Sequence, residues 1–127
     1  MKITVLNMRD ARNYIPTGKA IIIRMGDSFP FPKVDGDYIA KMNFYFSDVD
    51  SDSDYFIEDE EAIKILSFVK ENIDIVDEIV VHCQYGQGRS PAVASAISDY
   101  LNIEGIKYKE EYPNLNIPIY EKIKSFF

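Results

Sequence analysis

Val80-Val81-His82-Cys83-Gln84-Tyr85-Gly86-Gln87-Gly88-Arg89-Ser90-Pro91 is the stretch that decides how this chain is read. It opens as a short apolar run suited to a buried strand. The chain's single cysteine and single histidine stand side by side where that strand ends. Two glycines follow, then Arg89, Ser90 and a proline, which the first turn of a helix tolerates. A strand, a glycine-containing loop and a helix N-terminus together make an anion site, because the loop N–H groups converge and the helix dipole adds partial positive charge. A sulfur set among such donors and a guanidinium is favoured as thiolate, a nucleophile at neutral pH. Read without chemistry, Cys83 is a small buried apolar residue, as free cysteines often are. That reading leaves the two glycines and the arginine unexplained.

These residues resemble the phosphate-binding loop of the cysteine-dependent phosphatases, the protein tyrosine and dual-specificity families, whose pattern is His-Cys-x-x-Gly-x-x-Arg-Ser/Thr. His82, Cys83, Gly86, Arg89 and Ser90 fill every fixed position, in the strand–loop–helix context such a motif needs. The resemblance implies a phosphocysteine mechanism. Cys83 attacks phosphorus, and Arg89 grips two non-bridging oxygens with its planar fork. The backbone N–H groups of Gln84, Tyr85, Gly86, Gln87, Gly88 and Arg89 bind the transferring group. Ser90 reads from its position as a helix-entry cap; the resemblance adds a hydrogen bond to the Cys83 sulfur that eases its departure from phosphate. His82 is expected to orient the loop by hydrogen bonding, since on a strand its side chain points away from that of Cys83. Neither a metal nor an organic cofactor is expected.

Cleaving a phosphate ester also needs a general acid, which in these families is an aspartate on a loop preceding the cysteine. Asp48, Asp50, Asp52 and Asp54 crowd the corresponding region. Proton transfer depends on position before it depends on acidity. Asp48, expected at the end of a strand, is favoured over Asp50, which lies further into a loop of small polar residues. The others read as a solvated loop and a charged first helical turn. Asp50, Asp52, Asp54 and Glu61 also have the spacing of a calcium loop, with Ile57 at its apolar eighth position. Tyr55 stands where that loop requires glycine, however, and no helix is expected before it, so no metal site is expected.

The chain's 127 residues suffice for one domain with a proper core. One cysteine excludes an internal disulfide and fits a reducing compartment. The N-terminus is too weakly charged and its apolar run too short for a signal peptide, and no stretch approaches membrane-spanning length. A cytoplasmic monomer, away from membranes, is expected. The net charge of −7 is unevenly spread. Residues 1–47 carry seven basic and four acidic side chains, whereas residues 48–61 carry eight acidic and none basic. That distribution argues against a nucleic-acid binder working through a general basic surface.

Strands are expected at residues 2–6, 20–25, 38–46 and 78–82, and helices at 8–14, 58–72, 90–101 and 116–127. Residues 20–25 are β-branched enough for a strand buried on both faces. Asn116 is a plausible cap for the last helix, whose Ile119, Ile123 and Phe126 share a face. A turn is expected around Gly105, and Pro113-Asn114 reads as another. Strands alternating with helices imply a single α/β domain with a largely parallel central sheet; the resemblance implies that helices flank this sheet and that the phosphate loop lies between a strand and a helix.

The expected function is therefore phosphomonoester hydrolysis on a phosphorylated protein or a small phosphomonoester. Phosphotyrosine comes first, with phosphoserine or phosphothreonine as alternatives. The loop from Cys83 to Arg89 lacks lysine, which speaks against the polyphosphoinositide branch. The acidic 48–61 segment is expected to disfavour acidic phosphopeptides. A binding module that holds phosphate without cleaving it, and an RNA 5′-phosphatase, are the alternatives.

Overall fold

The computed structural model describes residues 1–27, 30–103 and 108–127. In chain order they form β1 (Lys2–Asn7), α1 (Met8–Asn13), β2 (Ala20–Met25), β3 (Ala40–Phe44), α2 (Asp59–Asn72), β4 (Glu78–Cys83), α3 (Arg89–Tyr100), α4 (Tyr108–Glu111) and α5 (Ile117–Lys124). The four strands make one sheet in the order β1-β4-β2-β3, parallel at every pairing. β4 is the last strand in sequence yet inserts between β1 and β2. Flanked on both sides, it is buried along its whole length, as is β2. The β-branched runs of both strands suit that environment, where each residue meets apolar neighbours on one face or the other.

Alternation along β2 and β4 sorts their side chains into two cores. Ile21, Ile23, Met25, Ile79 and Val81 join the larger one with buried residues of α2, α3 and α5. Ile22, Val80 and Val34 form a smaller one, closed by Leu6, Tyr14 and Tyr38. Helix α2 contributes Ala62, Ile65, Leu66, Phe68 and Val69, the stripe its sequence spacing predicts. Its start is fixed by a capping box in which Glu61 accepts from the Glu58 N–H at 2.9 Å. Full burial of each aliphatic side chain of that stripe contributes about 1.5–3 kcal/mol.

Several boundaries differ from the sequence expectation. β3 spans fewer residues than 38–46 because it is an edge strand and pairs only as far as β2 reaches. The final helix stops at Lys124, so Phe126 leaves the apolar face with Ile119 and Ile123 and stands exposed. The short α4 was not expected, and the turn expected around Gly105 lies outside the described residues. Among the described residues no helix is long and apolar enough to cross a membrane.

Candidate active site

The carboxyl end of β4 delivers Cys83 into the turn before α3, at the sheet end where parallel α/β folds collect their ligands. The thiol is buried but not in apolar surroundings. Its Sγ accepts the Gly86 N–H at 3.2 Å and lies 3.1 Å from Ser90 Oγ. Gly86 holds φ +70°, and a Cβ there would stand 2.9 Å from the Asn7 nitrogen of β1. Only glycine meets both demands. Gly88, not Ser90, is the N-cap of α3, which leaves the Ser90 hydroxyl for the sulfur. Gln84, Tyr85 and Gln87 are exposed along the loop, with Gly86 and Gly88 buried beneath.

Arg89 opens α3 and is 3 % exposed. Its Nη1 donates to Asp27 Oδ1 at 2.8 Å and to the Phe46 carbonyl at 3.1 Å, and Nη2 reaches Asp27 Oδ2 at 3.5 Å. Its Nε is buried without a partner among the described residues. The guanidinium is thus held end-on by Asp27 through Nη1 and Nη2, with Nε bare. Sequence reasoning missed Asp27 because it lies in an irregular loop. The available signal was its place just past the end of β2, where residues beyond strand carboxyl ends gather around such a site.

His82 is fully buried, and the parallel register sets it directly opposite Arg24. Arg24 Nε donates to His82 Nε2 at 2.9 Å, so that nitrogen is the acceptor and a neutral ring carries its proton on Nδ1. Burial first, then the Arg24 charge, push the imidazole down to about 4, with the Cys83 backbone pulling weakly the other way. Nδ1 lacks a hydrogen bond of good geometry among the described residues. The well-formed side-chain hydrogen bond of His82 goes to Arg24, while the Cys83 backbone is its contact with the loop. Arg24 is itself buried, caps the Pro32 carbonyl and lies 4.9 Å from the Phe31 ring centroid. It was legible only as one polar residue in an apolar strand.

Asp48 comes beyond the end of β3, so the strand does not fix it as the sequence suggested. Its carboxylate is instead brought to the loop from two sides. Asn116 Nδ2 donates to Oδ1 at 2.7 Å, and the carboxylate lies against Gly88, where a Cβ would stand 2.4 Å from Oδ2. Asp50 turns back on its own loop, accepting the Asp52 N–H at 3.1 Å. Two grooves flank the loop between β4 and α3. One is lined by Met8, Asp27, Pro32, Gln84 and Tyr85, the other by Asp48, Asp50, Ser53, Asn116 and Pro118. Among the described residues, no three or more His, Cys, Asp or Glu side chains gather as metal ligands, and Glu61 is committed to its helix cap.

No protein-family model matches the sequence, and no curated protein matches it. Among solved structures, the chain is similar to the crystal structure of Tk-PTP in the active form, a protein tyrosine phosphatase. The TM-score is 0.55 at 14% sequence identity, over 98% of this chain and 91% of that one. The chain therefore has the fold of a protein tyrosine phosphatase, an all-parallel four-stranded sheet flanked by helices.

Proposed function

We propose that the chain is a cysteine-dependent phosphomonoester hydrolase acting through a phosphocysteine, with phosphotyrosine in a protein as its first substrate class. The observation that carries this reading is the Cys83 sulfur, buried yet held by an N–H and a hydroxyl at 3.2 and 3.1 Å. An inert core cysteine would be surrounded by carbon. The bare, buried Nε of Arg89 is a second support, since a donor left dry and unpaired is costly unless a ligand completes it.

In the first step the Cys83 thiolate forms an S–P bond as the P–O bond to the leaving group breaks. Asp48 gives its proton to the departing oxygen. Arg89 meets the phosphoryl oxygens with Nε and Nη2, while Nη1 stays on Asp27 and the Phe46 carbonyl. Backbone N–H groups of residues 84–89 stabilise the charge spread over the equatorial oxygens. In the second step the Asp48 carboxylate takes a proton from water, which attacks phosphorus. The S–P bond breaks, orthophosphate leaves, and the Ser90 hydroxyl stabilises the returning thiolate. Phosphoserine and phosphothreonine are the further substrates of this reading, and the exposed acidic 48–61 segment beside Asp48 favours phosphopeptides without acidic neighbours.

The test is hydrolysis of p-nitrophenyl phosphate by reduced protein in excess EDTA, with Cys83→Ser as the comparison. Turnover that the substitution abolishes, with phosphate binding retained, is the expected result. A native protein that binds phosphopeptide but turns nothing over would instead be a binding module.

A further inference from the structure

Building on that catalytic reading, we infer that Asn116 is a positioning residue that locks Asp48 to the phosphate loop and assigns its two oxygens different tasks. Asn116 spends every polar group it has on connecting three segments. Its side-chain Oδ1 accepts the Ile119 N–H at 3.1 Å and so caps α5. Its Nδ2 donates to Asp48 Oδ1 at 2.7 Å and to the Val49 carbonyl at 3.1 Å. Its backbone N–H donates to the Gly88 carbonyl at 3.1 Å. The cap settles the orientation of the amide, because the end facing the Ile119 N–H must be the oxygen. The end facing Asp48 is then the donor.

The spacing between acid and loop is thus set by the covalent geometry of one residue. Asp48 Oδ1 is committed to an N–H donor, so the proton Asp48 transfers sits on Oδ2. That is the oxygen closest to Gly88, where a Cβ would come within 2.4 Å. Oδ2 delivers the proton to the leaving oxygen and later receives one from water, while Oδ1 remains the anchor. Gly88 is glycine in part because any side chain there would push the carboxylate off the loop.

The experiment uses Asn116→Ser and Asn116→Asp in the full chain. Both replacements keep a good capping oxygen for α5 and the backbone N–H to Gly88. Serine is too short to reach Asp48, and aspartate faces it with an acceptor where a donor is needed. For phenyl phosphate, a poor leaving group, kcat/KM should fall about 10- to 100-fold. For dinitrophenyl phosphate, which departs without a proton, it should change less than about threefold. Added to Asp48→Asn, either substitution should cost nothing further with phenyl phosphate. Equal losses with both substrates, or additive losses in the double variant, would overturn the assignment and leave Asn116 a helix cap. A native protein inactive on both substrates would instead remove the catalytic reading itself, and this one with it.

Discussion

At the amino end of the sheet, the carboxylate of Glu78 is 2 % exposed and is met by the Tyr14 hydroxyl at 2.5 Å, the Thr4 hydroxyl and, at 3.9 Å, the Lys2 ammonium. At the carboxyl end, Arg89 is as deeply buried, yet Asp27 holds the end of its fork and its Nε has nothing. Both ends bury a charge, but only one completes it from within. Arg89 Nε and His82 Nδ1 lie unpartnered among the described residues on either side of Cys83 in sequence. The amino end has one such atom, the Tyr38 hydroxyl, in a phenol that burial first and then Glu78 raise to about 12. An unpaired buried polar atom costs about 1–3 kcal/mol, and the bare Arg89 Nε is the one that a ligand oxygen at the loop would complete.

The comparison can be broken by substitution at either end. The largest effect is expected from Cys83→Ser, which should lower kcat by more than about 10⁴-fold, with the melting temperature changed little. A Glu78→Ala protein should do the reverse. Leaving the Thr4 and Tyr14 hydroxyls without their acceptor should cost about 3–5 kcal/mol in urea unfolding and spare kcat/KM. A large kinetic effect of Glu78→Ala would erase the distinction between the ends.

The next effect is one of pH. His82 is pushed down to about 4 in the folded chain against an ordinary value of 6.5. Between those values the unfolded chain binds the proton and the folded one does not. This contribution is therefore fully present above pH 6.5 and is lost as the pH falls toward 4, by roughly 3 kcal/mol. Urea unfolding at pH 7 and pH 4.5 should show the loss, and His82→Gln should flatten it. The smallest effect expected is that of Asp27→Asn, about tenfold in kcat/KM, because the neutral amide holds the Arg89 fork less firmly. An unchanged KM for phosphotyrosine and unchanged inhibition by phosphate would show that Asp27 does not position the fork.

How much of this was legible follows from which features are local. The strand Ala20–Met25, the helix over Glu61 and Leu66, and the loop from Cys83 to Ser90 carry their signals within a few residues, and each stands where the sequence put it. Asp27, Arg24 and the double use of Asn116 depend on register and on how distant loops meet. Arg24 faces His82 only because β4 inserts beside β2. Asp48 was favoured over Asp50 for a strand end that in fact lies further back, and its carboxylate meets Gly88 and the side chain of Asn116, a residue read only as a cap. Phe126 fails for the same reason in reverse, since a helical pattern says nothing about where the backbone stops.

Helix α3 has one more consequence. Residues 89–98 are buried without exception, with the sheet against one side and α5 against another. Turns so enclosed do not fray by themselves, so the amide hydrogens of residues 93–98 should exchange with solvent only when the whole molecule unfolds. Asp48 and its neighbours, exposed and hung from a side chain, should exchange through small local openings instead. The helix behind the loop would then be the slowest-exchanging part of the chain and the segment around Asp48 among the fastest, two clocks running side by side.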